Sequence, residues 1–233
     1  MLNFKEFISE AFKLTLRYHK TLNSKIWKND MPKDGIRDYL LQRAKEFAEF
    51  SGVSLDRVKD VVMTGGNTNF NYTKFSDIDV HLMCDITGLD TEALYDKKVE
   101  WTFQEADVKL EGYPVEFYVQ DDSSHMPLGQ GVYSILYDRW EVVPKHLDNI
   151  EVLSDKNVAE KIKGYIRYIK KWLLKEGSVE EILDFKEKLW KMRSAGLEQG
   201  GEFSVENIVY KDLRNRGLVD KLNKRLRELR DNE

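Results

Sequence analysis

With 233 residues and 27.4 kDa, the chain has room for one large domain or two small ones. Its 41% hydrophobic residues support a core, and its 33% charged residues exceed the roughly 25% of an average globular protein, which excludes disorder and collagen-like repeats. No apolar run nears the ~18 residues of a membrane-spanning helix, Met1–Phe7 has no signal-peptide h-region, and the single Cys84 excludes an internal disulfide, so a soluble cytoplasmic protein is expected. The net charge of −4 is unevenly spread. Residues 1–154 hold 18 Lys+Arg against 26 Asp+Glu, a net of −8, whereas residues 155–233 hold 19 against 15, a net of +4.

In chain order, Phe4–Leu16 and Ile36–Phe50 read as helices, separated by a turn through Met31-Pro-Lys-Asp-Gly35. The apolar period then drops from near 3.6 to 2. Val61–Met63, Ile78–Met83 and Val115–Val119 are short, β-branched or aromatic, and bounded by turn residues, as strands are. Asp90–Val108 reads as a helix between the second and third strands. Val132–Leu136 and Trp140–Val143 read as a hairpin turning at Tyr137-Asp-Arg139.

All four prolines precede residue 145, and helical spacing follows: Val158, Ile162, Ile166, Ile169 and Leu173 mark one face. Ser178-Val-Glu-Glu181 predicts a capping box opening a helix that carries Leu183, Leu189 and Trp190 and stops at Gly196. Ser204 is expected to cap one last helix bearing Ile208, Leu213, Leu218, Leu222 and Leu226. The fold class is α+β: a mixed α/β centre between N-terminal helices and a C-terminal helical bundle. The expected organisation is a domain over 1–150, with helices in 1–58 and a sheet core in 59–145, and a helical substrate-binding region over 151–233.

The stretch that carries chemistry runs from Val61 to Met83 as strand, Gly65-Gly66, polar loop, strand. Alternation puts Asp77, Asp79 and His81 on one face and Ile78, Val80 and Leu82 on the other. Aspartate is depleted in strands, and neighbouring carboxylates repel unless a cation lies between them. Glu116 projects opposite Val115, Phe117 and Val119, so pairing of its strand with Ile78–Met83 brings a third carboxylate to that face. Three carboxylates on one sheet face suit two-metal phosphoryl transfer, and Gly65-Gly66 lets phosphate oxygens approach backbone amides.

The pattern Gly-Gly, ten residues, Asp77-Ile-Asp79 resembles the signature of the polymerase-beta-like nucleotidyltransferase superfamily. Asn69–Thr73, Ser76–His81, Gly131–Ser134 and Arg193–Ser204 resemble segments of nucleotidyltransferases predicted in tailed-bacteriophage genomes. The resemblance implies a small mixed sheet with helices on one side. It further implies Asp77, Asp79 and Glu116 as catalytic metal ligands for two Mg²⁺ (or Mn²⁺), with Gly65, Gly66, Asn67 and Ser76 at the nucleotide. An NMP would pass from an NTP to an acceptor hydroxyl, in the cytoplasm, or the host cytoplasm for a viral protein. Many members have serine where this chain has Gly66; Thr64, Asn67, Thr68 or Asn69 are candidates to compensate. The acceptor stays open between RNA (a tRNA end, for instance), a small molecule and a protein side chain, and a catalytically silent binding protein is the reading from another class.

Blander roles stand beside these. His81 suits a hydrogen-bonded histidine as well as a catalytic one, His125 a surface loop, and Cys84 a small buried hydrophobe. Tyr165, Tyr168 and Trp172 are expected in the bundle core, and Lys186, Lys188, Lys191 and Arg193 on a solvated helix face.

Overall fold

The computed structural model describes residues 13–106, 108–124, 130–146 and 155–231. The chain is α+β and divides into two units: residues 18–146 form one, and the residues before Tyr18 join 147–233 in the other. The described residues 13–17 therefore group with the helical unit. Of the helix expected over Phe4–Leu16, the part up to residue 12 lies outside the described residues, and residues 13–16 are not helical. Leu16 is nonetheless buried in the helical core.

The sheet unit opens with a two-stranded ribbon, β1 (Trp27–Lys28) and β2 (Met31–Pro32), where a plain turn was expected. Helix α1 (Ile36–Phe50) follows and buries Ile36, Leu40, Ala44, Phe47 and Ala48, the spacing of one helical face. Strands β3 (Val58–Thr64) and β4 (Ile78–Cys84) pair antiparallel. Helix α2 (Thr91–Gln104), whose N-cap Asp90 accepts from the Glu92 and Ala93 amides, crosses to β6 (Tyr113–Asp121). Because β4 and β6 run parallel, a crossover of this length is required. The short β5 (Lys109–Leu110) lies outside β6, and the hairpin of β7 (Val132–Ser134) and β8 (Arg139–Val142) lies beyond β3, giving the order β5-β6-β4-β3-β7-β8.

The period of two decides which face is which. Ile78, Val80, Leu82 and Cys84 are all buried and meet Phe117, Phe47 and Trp101 in one core, while the intervening residues of β4 are half-buried. Cys84 is the small buried hydrophobe expected, its thiol pushed up to about 11 by burial.

The helical unit holds α3 (Lys156–Tyr168), a π turn (Ile169–Leu173), α4 (Val179–Gly200), α5 (Val205–Asn215) and α6 (Leu218–Arg230). The Ser178–Glu181 capping box forms as read from sequence. Gly196 does not stop α4. It is buried within the helix because a Cβ there would run into Glu206 and Ser204 of the next segment. Gly217, at φ +68°, splits the last helix into two. Leu183 and Trp190 are exposed, and so are Tyr168 and Trp172, which correct the expectation of a core role. Arg193 leaves the solvated face expected of it: its Nε donates to Asn207 at 3.3 Å and its guanidinium lies over Tyr210. Among the described residues no helix is long and apolar enough to cross a membrane.

Candidate active site

Register brings the sequence-predicted acids onto one face. Thr64 of β3, Asp79 of β4 and Glu116 of β6 are aligned across three adjacent strands, and Val62, His81 and Tyr118 form the next row. Side chains two apart on a strand share a face, so Asp77, Asp79 and His81 stand beside Glu116 and Tyr118.

Tyr118 is the residue the sequence reading missed, and it sits at the focus of the trio. Its hydroxyl donates to Glu116 Oε2 at 2.5 Å, and its ring stacks on His81 with centroids 4.7 Å apart. Burial, reinforced by the charges of Asp79, Glu116 and then Asp77, holds its phenol protonated far above the ordinary range. Lys98, from α2, reaches the same Glu116 Oε2 at 3.2 Å and lies over the Tyr118 ring. The only sequence signal for this pair was position: Tyr118 is two residues from Glu116, and Lys98 lies on the crossover helix. His81 is half-buried, and its Nδ1 is buried without a hydrogen-bond partner. Burial lowers its pKa to about 4, with a hydrogen bond to Gln120 opposing, so at neutral pH the ring is uncharged.

The double-glycine loop is packed against the acids. Gly65 has φ +83° and ψ −159°, a region open essentially to glycine alone, and a Cβ there would overlap Asp79 Oδ2. Backbone and carboxylate can approach this closely only because position 65 has no side chain. At position 66 a Cβ would come within 2.8 Å of Ser76 Oγ. The Ser76 hydroxyl thus occupies space beside Gly66, where a serine at 66 would project its own side chain; it also accepts from the Thr73 amide at 3.0 Å.

The other loop residues hold the scaffold. Asn67 is fully buried, accepts from Asn23 Nδ2 at 2.8 Å and donates to the Asp77 carbonyl at 2.8 Å. Its side chain therefore fixes the backbone that carries Asp77. Thr68 Oγ1 lies 2.9 Å from both the Gly65 and Gly131 carbonyls, and Asn69 donates to the Gly65 carbonyl at 2.7 Å while accepting from Gly131 N at 3.0 Å. Thr64 Oγ1 donates to Gln130 at 2.8 Å. His125 lies outside the described residues.

Hard carboxylate oxygens are the donors that Mg²⁺ prefers, and Gly65, lacking a side chain, lets its backbone lie against the Asp79 carboxylate. As the side chains stand, no group of three or more His, Cys, Asp or Glu among the described residues is drawn together to hold a metal ion. Glu116 instead leans on Lys98 and Tyr118. The donor types and their common face fit a divalent cation, with a turn of Glu116 needed to complete the set. Compared with known protein families, curated proteins and solved structures, the chain matches none.

Proposed function

We propose that the sheet unit is a metal-dependent nucleotidyltransferase, moving an NMP from an NTP to an acceptor hydroxyl with release of pyrophosphate. The observation that carries this reading is the alignment of Asp79 with Glu116 across a parallel strand pair, with Gly65 backbone pressed against the Asp79 carboxylate. Asp77, Asp79 and Glu116 would hold two Mg²⁺ (or Mn²⁺), which when bound lower the pKa of an attacking hydroxyl and neutralise a triphosphate. Gly65 and Gly66 leave room for phosphate oxygens, and Ser76 offers a hydroxyl beside Gly66. Asn67 holds the Asp77 backbone in position. Tyr118, kept protonated, orients Glu116 by hydrogen bonding and takes no proton from the acceptor. The acceptor we favour is RNA, on the net charge of +4 in residues 155–233; a small molecule or a protein side chain is the alternative. The protein would act in the cytoplasm, or in the host cytoplasm if viral.

The experiment is incubation of purified protein with each labelled NTP, Mg²⁺, and RNA or cell lysate, following pyrophosphate release. The Asp77→Asn/Asp79→Asn pair is expected to abolish transfer with the circular dichroism spectrum intact. Metal-dependent pyrophosphate release retained by that pair overturns the assignment. A second reading, a catalytically silent binding protein, draws on one observation: Lys98 and Tyr118 both engage Glu116 Oε2, one of its two carboxylate oxygens. Nucleotide binding by calorimetry with no metal-coupled turnover would favour it.

A further inference from the structure

Three features coincide where α3 ends. Tyr168 and Trp172, one turn apart, are 45% and 44% exposed, while Ile169 and Leu173 beside them are fully buried. Between them the backbone makes a π turn, with the Leu174 amide donating to the Ile169 carbonyl at 3.0 Å; such turns recur at functional sites. Both rings are braced from one side. Tyr168 packs on Phe185 with centroids 5.4 Å apart, and Trp172 Nε1 donates to Glu181 at 3.5 Å. Nearly half of each ring stays in solvent even so.

The second feature is a groove of about 570 Å³ between α3 and α4, which Tyr168, Phe185, Asp184 and Lys188 line. Gly164 in its wall has nothing within 4 Å of where a Cβ would stand. The third is charge. Lys161, Lys163 and Lys191 are each matched to a glutamate, whereas Lys170, Lys171, Lys175 and Lys188 make no ion pair among the described residues. Of these, Lys188 lines the groove, and Lys170, Lys171 and Lys175 lie within three residues of one or other ring in sequence.

Flat aromatic faces beside a groove with uncommitted cations suit a polyanion that carries flat faces of its own. Stacking on an aromatic side chain is open to every base, and ammonium groups take the phosphates between. We propose that the α3–α4 groove, with Tyr168 and Trp172, binds single-stranded RNA. The Asp184 carboxylate in the lining can accept from a ribose 2′-hydroxyl, the group that distinguishes RNA from DNA. An anionic lipid surface fits less well, because the groove is concave and holds Glu181 and Asp184, where a membrane-lying helix needs a projecting apolar face and a cationic rim. The assignment names an acceptor surface for the proposed transferase and rests on that reading for its purpose; the binding stands on the helical unit alone.

The test is fluorescence anisotropy of the full chain with a labelled, unstructured oligoribonucleotide, alongside the same sequence as DNA, as duplex RNA, and vesicles of phosphatidylserine and phosphatidylcholine. Tyr168→Ala and Trp172→Ala are each expected to weaken RNA binding about tenfold, and Tyr168→Phe to keep it. Lys171→Gln with Lys188→Gln should flatten the dependence of affinity on salt. Unchanged RNA affinity in the Tyr168→Ala/Trp172→Ala pair, preference for duplex or DNA, or binding to vesicles without binding to RNA each overturns the proposal. RNA binding that depends on the two rings in a protein without nucleotidyl transfer upholds the groove and fails the transferase. Transfer that survives loss of both rings with RNA affinity unchanged does the reverse.

Discussion

The two units handle buried charge in opposite ways. In the helical unit the buried Glu202, Lys211 and Asp212 meet opposite charges directly. Glu202 pairs with Lys211, both buried, while the Asn207 amide donates to the Glu202 carbonyl at 2.7 Å. Asp212, fully buried, accepts from the Thr15 amide at 2.6 Å and from Arg216 Nε at 2.6 Å. In the sheet unit, like charges gather instead: Asp77, Asp79 and Glu116 share one face around a protonated Tyr118, and one lysine pairs with Glu116. Compensated charge fixes a structure, since removing either partner strands the other. A cluster of like charge stores repulsion that an added cation relieves, which is how a ligand site differs from a structural one.

The contrast is broken most severely by Lys211→Met. It leaves Glu202 buried without its ammonium and is expected to destabilise by about 3–5 kcal/mol, whereas Glu202→Leu/Lys211→Met together should come close to wild type. Urea denaturation of both variants checks this, and equal losses in the two would show the pair to be no structural charge lock. Next in size is Gly65→Ala. Its φ of +83° and the overlap with Asp79 Oδ2 predict a loss of about 1–3 kcal/mol from backbone strain alone. The same measurement reads it, and a neutral result would remove the close approach on which the site depends.

A third effect sharpens the comparison through pH. His81 takes a proton near pH 6.5 when unfolded and only near 4 when folded. Between those values the unfolded chain binds more protons, so folding stability should fall as pH drops from about 6.5 to about 4. His81→Phe keeps a ring against Tyr118 and removes the titration. Thermal melts across that window should show a flatter acid limb for the variant, and an unchanged limb would assign the acid sensitivity elsewhere.

Much of the sheet unit was legible because strand alternation is a local property. Ile78, Val80 and Leu82 face the core and Asp79 and His81 face away, as their order dictates, and Ile36–Phe50 is a helix with the bounds its periodicity predicts. The helical unit was less legible, since helical spacing shows that a face is apolar without showing what covers it. Tyr168, Trp172, Leu183 and Trp190 fit helical stripes and still lie exposed. Gly196 looked like a stop because glycine ends helices often, yet here it makes room for α5. Gly217 looked like any helical position and breaks the chain in two. Gly196 is decided by Ser204 and Glu206 of the next segment, whereas Gly217 breaks the helix by its own left-handed backbone, with open space beside it.

The sequence by itself determined the α+β class, the strands β3, β4, β6, β7 and β8, the capping box at Ser178 and the face shared by Asp77 and Asp79, because each follows from spacing within a few residues. Tertiary structure alone decided that Glu116 stands beside Asp79, since strand register is set by the packing of whole faces. It alone placed Lys98 and Tyr118 on Glu116, committed Asn67 to the Asp77 backbone and left Tyr168 and Trp172 in solvent. Those outcomes depend on which surfaces meet across the fold, and no local pattern of side chains encodes that meeting.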